Sequence, residues 1–240
     1  MAHAAKGPPM DVEVVLENRH LTWHMYRSLV GIAMICATII VSVYILTGPI
    51  IQQNKAEALE KAILKVLPKT ATRQGYGVDE NGQFVKISDQ DGATIQLYAG
   101  YDKQKRLIGF AIAAKGMGYQ DTIEMLYGYS PYKKSIIGIN ILASRETPGL
   151  GDKIRNDPGF LANFRQLDVS LNLGKSALKN PITVVKKGKK SQPWQIDSIT
   201  GATVSSKAIG NILQKSATKW VPAIRQNREE FDIGVKTRDD

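Results

Sequence analysis

The chain has 240 residues, enough for one globular domain with accessories and a core of ordinary size. Its 32 Lys and Arg outnumber its 22 Asp and Glu, and the resulting net charge of +10 suits an anionic partner such as lipid headgroups, nucleic acid or phosphate. A single cysteine, Cys36, excludes an intrachain disulfide framework and a cysteine-based metal centre.

The first predicted element is "LVGIAMICATIIVSVYIL", Leu29 to Leu46, which contains no charged residue. At ~1.5 Å per residue it spans about 27 Å, close to the ~30 Å hydrocarbon core of a bilayer. It reads as one transmembrane helix, with Trp23, Tyr26 and Tyr44 placed like interfacial aromatics. A signal peptide fits less well, because the apolar stretch is long and "TGPIIQQNK" offers no small-x-small cleavage site. Charge leaves the orientation open. Lys55, Lys61 and Lys65 outnumber Arg19 and Arg27, yet large domains cross membranes largely regardless of flanking charge.

After Pro49, Ala56, Leu59, Ile63, Val66 and Leu67 recur at helical spacing until Pro68, which predicts a separate juxtamembrane helix. From Gln83 short β-type runs follow: "QFVKI", "ATIQLYAGYD", "LIGFAIAAKG", "DTIEMLYGYS" and "SIIGINILAS". Such closely spaced strands predict antiparallel meanders. Helical spacing returns weakly at "GFLANFRQL", a strand signal at "PITVVKKG", and a clear helix at "TVSSKAIGNILQKSATKW", with Val204, Ala208, Ile209, Ile212 and Leu213 on one face. The predicted class is α+β with a mainly antiparallel sheet and flanking helices. The expected boundaries are an N-terminal segment 1–27, a transmembrane helix 28–50, a juxtamembrane helix 51–72, a domain 73–222 and a charged tail 223–240, frayed from Asn227 to Asp240.

Three segments carry candidate chemistry. "SITGATVSS", Ser198 to Ser206, places Thr203, Ser205 and Ser206 at a helix start, where free backbone N–H groups and the positive dipole end favour a hydroxyl cap or an anion. Read as physics alone, it is a turn plus an N-cap, or a site where small Gly201 and Ala202 admit a bulky phosphate ligand. "SRETPGLGDKI", Ser144 to Ile154, is a shaped loop after a strand, with Pro148 fixing one φ and Gly149 and Gly151 exposing backbone. "KGMGY", Lys115 to Tyr119, sets an aromatic ring beside flexible backbone. Neither glycine pattern is a P-loop or a dinucleotide fingerprint. "VVKKGKK", Val184 to Lys190, reads as a solvated hairpin tip. His3, His20 and His24 all precede the apolar stretch, so no Ser-His-Asp set is indicated in the domain and no metal site is expected. The scattered basic residues carry no nucleic-acid signature.

Together the three segments resemble the covalent FMN-binding domain of the G subunit of the Rnf electron-transport complex and the related C subunit of the sodium-pumping NADH:quinone oxidoreductase. The likeness rests on the membrane anchor, the "ETPGLGDKI" loop and a version of the motif D-x-x-S-G-A-T-x-[ST]-S at Asp197 to Ser206. Thr200 stands where that motif has serine, which adds a second threonine hydroxyl, and Ser144 stands where members often carry histidine. The resemblance implies FMN joined through its phosphate to Thr203 by a separate flavin transferase. Ser205, Ser206 and Lys207 would donate to the phosphate, and Thr200, Gly201 and Ala202 would adjoin it. Glu146, Thr147, Pro148, Gly149, Leu150 and Gly151, with Tyr119, would lie along the isoalloxazine ring. It further implies a single-pass protein of a bacterial inner membrane, its domain periplasmic, relaying electrons beside other membrane subunits and lipid without substrate chemistry of its own. A different reading of the residues is a membrane-tethered module binding a noncovalent anionic ligand or lipid.

Overall fold

The computed structural model describes residues 12–79, 83–87 and 95–231. The chain divides into two compact units, Met1–Ala56 and Glu57–Asp240. The first consists, within the described residues, of helix α1, whose full extent is Val12–Val66. Its apolar window is wholly unburied, and among the described residues it is the one helix long and apolar enough to cross a membrane. The expected break between a membrane helix and a juxtamembrane helix is absent, since α1 continues through Pro49. Proline removes a single backbone donor, and the Thr47 hydroxyl donates nearby to Val43 O at 2.7 Å, the kind of local bond that accompanies proline in apolar helices. Beyond it Ala, Glu, Leu and Lys, all good helix formers, carry the helix on to Val66.

The second unit is built on a seven-stranded antiparallel sheet in the order β2-β1-β3-β4-β5-β6-β7. The strands are β1 Thr72–Val78, β2 Phe84–Ile87, β3 Leu97–Tyr101, β4 Leu107–Met117, β5 Thr122–Ser130, β6 Ser135–Ala143 and β7 Leu167–Asp168. The five sequence-predicted runs correspond to β2 to β6, while β1 lies in the stretch assigned to the juxtamembrane helix and the domain edge. Its sequence, TRQGYGV, lacks the alternation that marks a half-buried strand, although pairing on both sides holds it in the sheet.

Alternation along β4 and β5 sorts the core. Phe110, Ile112, Met125 and Tyr127 join the main cluster, whereas Ala111 and Leu126 join Ala62, Ile63 and Val66 from the end of α1 and Leu67 just after it. Helix α3, Thr203–Gln226, covers the main cluster with Ala208, Ile209, Ile212 and Leu213, each of the larger residues contributing about 1.5–3 kcal/mol by its burial. Val204, expected on that face, is instead 56% exposed because it belongs to the first turn, beyond the sheet-packed stripe.

The expected frayed tail is ordered as far as Phe231. Residues Arg228–Phe231 form α4, and the fully buried Phe231 ring meets Tyr76, Phe84 and Phe110 at centroid distances of 4.9, 4.9 and 4.8 Å. The remaining residues, 232–240, lie outside the described residues, as do His3 and the His20 side chain.

Between β6 and α3 run a 3-10 turn Gly151–Arg155, α2 Pro158–Ala162, a second 3-10 turn Asn163–Arg165, β7, β8 Thr183–Val185 and β9 Gln195–Asp197. β8 and β9 pair in parallel, so "VVKKGKK" is not a hairpin tip as expected. Instead Lys189 and Lys190 wrap back, and both donate backbone N–H to Asp197 Oδ1 at 3.1 and 3.0 Å.

Candidate functional site

Asp197 opens the motif and is held from several sides. Besides those two N–H groups, its own N–H donates to Asn163 Oδ1 at 3.0 Å, and Asn163 Nδ2 returns a bond to Asp197 O at 3.2 Å. Lys190 Nζ donates to the same Asn163 oxygen at 3.3 Å, and partial burial pulls the Lys190 ammonium below its ordinary pKa despite the neighbouring Asp197 carboxylate. Asn163 gave no signal in the sequence, yet it locks the strand end from which the motif starts.

The chain then turns sharply at Gly201, whose φ of +84° is a left-handed value that suits glycine, and enters α3 at Thr203. Ala202 is the N-cap residue and has no side chain that accepts, so the hydroxyl cap considered for this motif is not made. The Ser206 hydroxyl is fully buried, donating to Ala202 O at 2.8 Å and accepting from Ile199 N at 3.1 Å. The Ser205 hydroxyl is also buried and donates to Glu146 Oε2. Each of these hydroxyls has one proton, and here it goes to a protein acceptor. Thr200, Thr203 and Lys207 are exposed.

Glu146 joins all three candidate segments. Only 5% exposed, it accepts at Oε1 from Tyr119 N at 2.8 Å and Gln120 N at 3.1 Å, and at Oε2 from Ser205. The approach is close enough that a Cβ on Gly118 would stand 2.4 Å from Glu146 Oε1, and one on Gly151 would stand 2.7 Å from Oε2 and 2.8 Å from Ser205 Oγ. Ser144 Oγ accepts from Glu146 N at 3.2 Å within the loop, and Arg145 pairs with Asp121 at 3.4 Å on the surface, a second tie to the β4–β5 turn beside that of Glu146. Thr147 O accepts from Leu150 N and Asp152 N, which curls the loop and leaves Pro148, Gly149 and Leu150 outward.

Around this hub lie large apolar side chains facing solvent: Tyr119 65% exposed, Leu150 51% and Val204. Leu150 reaches toward Gly201, its Cδ2 3.9 Å from where a glycine Cβ would stand. The site therefore combines an uncapped helix N-terminus, an exposed threonine on its first turn, and an apolar surface beside it. The buried Asp152 Oδ1 in the same loop has no hydrogen-bond partner among the described residues. These residues fit FMN: N–H groups and Lys207 for a phosphate, apolar surface for a ring, and an orphan acceptor matching the hydroxyl and N–H donors of a flavin.

The FMN-binding domain family matches residues 118–218, from the Glu146-bound turn into α3, and so includes all three segments at least in part. The G subunit of the Na(+)-translocating ferredoxin:NAD(+) oxidoreductase complex of Acetobacterium woodii is 30% identical over 175 residues, covering 69% of this chain and 75% of that one. The chain belongs to the G-subunit family of ion-translocating oxidoreductase complexes. Another relative in this family, the G subunit of the ion-translocating oxidoreductase complex of Methanosarcina acetivorans, is 28% identical over 196 residues, 82% of this chain and 92% of that one. The fold is shared with the crystal structure of the C subunit of Na(+)-translocating NADH-quinone reductase from Parabacteroides distasonis. That likeness has a TM-score of 0.55 at 22% identity, over 72% of this chain and 94% of that one. With its apolar, unburied helix, this member of the G-subunit family is a single-pass membrane protein and carries an FMN-binding domain.

Proposed function

We propose that the chain is a membrane-anchored electron carrier in an ion-translocating redox complex, holding FMN through a phosphoester to Thr203. The observation that carries the reading is the unclaimed, exposed Thr203 on the uncapped first turn of α3, flanked by serines whose protons are committed elsewhere. Free N–H groups of that turn and the dipole's positive end stabilise a phosphate on the Thr203 oxygen, and Lys207 adds charge one turn on. Thr200 is exposed too, but it precedes the turn at Gly201 and lies outside the helix. Leu150, Tyr119 and Val204 form the surface for the ring. Glu146 supports that surface by holding the segments together, a different role from the ring contact inferred from the motif.

When bound, FMN supplies one- and two-electron transfer. The protein's residues position it, keep the ring near the surface for neighbouring redox centres, and prevent its loss. Its partners are the other membrane subunits, with a flavin transferase acting once in maturation and membrane lipid around α1. The domain faces the periplasm, where a covalent link replaces rebinding from a pool of free cofactor. Residues 28–50 cross the bilayer, and the FMN domain runs from β1 at Thr72 to Phe231, beyond the boundary at 222 expected from the sequence. The test is flavin fluorescence of the protein, prepared from its native host, after denaturing electrophoresis. A fluorescent band at the chain's mass supports covalent attachment; flavin lost on denaturation favours a noncovalent binding module.

A further inference from the structure

A large cavity lies away from this site. It measures about 960 Å³ and opens between β4, β5, the loop 169–179 and the last turns of α3. Arg225 on its wall is 22 positions beyond Thr203 in the same helix, roughly 33 Å at ~1.5 Å per residue. The volume is at the upper end for small-molecule sites, roughly 300–1,000 Å³.

Its lining is two-sided in character. Leu107, Phe110, Val169, Ile224 and Phe231 supply buried apolar surface, with exposed Leu173 and half-exposed Tyr132 at the mouth. Lys134, Lys175, Lys179, Arg225 and Arg228 also line it, and no Asp or Glu is among the described lining residues. Lys134, Lys175, Lys179 and Arg225 gather round an apolar floor with no acid among the described lining residues, and like charges so placed favour an anion between them. The wall is built rather than loose: Leu171 bridges Leu178, and Asn172 N donates to Ala177 O at 2.9 Å. Tyr129 is 5% exposed and lines the cavity beside Arg225, its hydroxyl without a hydrogen bond to any described residue. Burial pushes its phenol up to about 12, so it is a neutral O–H donor at physiological pH.

We propose that this cavity binds an anionic amphiphile, its phosphate or carboxylate head held by Lys179, Arg225 and the Tyr129 hydroxyl and its hydrocarbon body on Leu107, Phe110 and Phe231. This site is independent of the flavin and goes beyond the electron-carrier reading. A free amphiphile and a bilayer phospholipid share this chemistry, and choice of bilayer separates them.

The test is calorimetric titration of the full chain in phosphatidylcholine nanodiscs with hexyl phosphate, inorganic phosphate and hexanol. Hexyl phosphate is expected to bind one to one, with the other two at least tenfold weaker because each lacks one half of the recognition. Lys179→Glu with Arg225→Glu should weaken hexyl phosphate at least tenfold, Lys179→Gln with Arg225→Gln less, and Tyr129→Phe severalfold. Flavin content should not change in any of them. The Gln pair and Tyr129→Phe keep the test decisive if the charge-reversed pair fails to fold. Hexyl phosphate binding that vanishes in phosphatidylglycerol nanodiscs assigns the site to bilayer lipid; binding that persists assigns it to a free amphiphile. Equal affinity for hexanol, indifference to all variants, or binding seen only after removal of residues 232–240 would overturn the proposal.

Discussion

The Glu146 carboxylate accepts a hydrogen bond from the Ser205 hydroxyl, 59 positions further along the chain, and its other oxygen accepts from the backbone N–H groups of Tyr119 and Gln120. One buried anion thus sets the spacing of three segments that sequence order keeps apart. Bonds to a charged acceptor run about 1.5–3 kcal/mol each, so the hub is a substantial local contribution.

Replacing that anion tests the relationship. Glu146→Gln preserves size but has one acceptor oxygen, so it cannot face Tyr119 N, Gln120 N and the Ser205 hydroxyl as three donors at once. The expected cost is about 1–3 kcal/mol, read as a fall of several degrees in Tm, with a shifted flavin absorption spectrum and retained flavin. A variant as stable as the parent with an unchanged spectrum would show that the three segments hold their places without the carboxylate.

Gly210 in α3 provides a sign test. In an exposed helix interior Gly→Ala stabilises by about 0.5–1 kcal/mol. Here an added Cβ would stand 2.3 Å from Val184 Cγ2, because α3 packs directly on β8 at that point. Gly210→Ala should therefore lower the denaturation midpoint, and a raised midpoint would mean that β8 gives way freely.

Topology follows from the proposed function rather than from charge. A phosphatase reporter fused after Asp240 should be active and a cytoplasm-only fluorescent reporter dark, consistent with a periplasmic domain. The reverse pattern would overturn the orientation and remove the argument that covalency guards against loss of flavin.

Much of this architecture was legible because it depends on local pattern. β2 to β6 follow from short alternating runs between turn residues, and the apolar stretch Leu29 to Leu46 announces α1. β1 was not legible, since TRQGYGV is held by neighbours on either side rather than by its own alternation. The parallel β8–β9 pair was hidden for a similar reason: a Lys-Gly turn looks the same whether the chain doubles back or wraps round to Asp197. In the site, composition drew attention to the hydroxyl-rich stretch around Gly201 and to the glycine loop after Glu146, and the resemblance singled out Thr203. Neither could show that Ser205 and Ser206 point inward, because burial of a first-turn hydroxyl depends on what packs there from elsewhere, here Glu146 and the Ile199 backbone. Asn163 was invisible because its bonds to Asp197 span 34 positions.

The central claim is that the Thr203 oxygen carries FMN, and mass spectrometry of chains from a host containing the transferase tests it most directly. Intact mass and peptide mapping would be compared for the parent, Thr203→Val and Thr200→Val. The Thr203 hydroxyl makes no hydrogen bond to a described residue and caps nothing, so valine there should change stability by no more than about 0.5 kcal/mol. The expected result is an FMN-sized mass on the Thr203 peptide of the parent, its loss in Thr203→Val with the fold intact, and its retention in Thr200→Val. An adduct that survives Thr203→Val, or a parent chain from the same host with no adduct, would contradict the account.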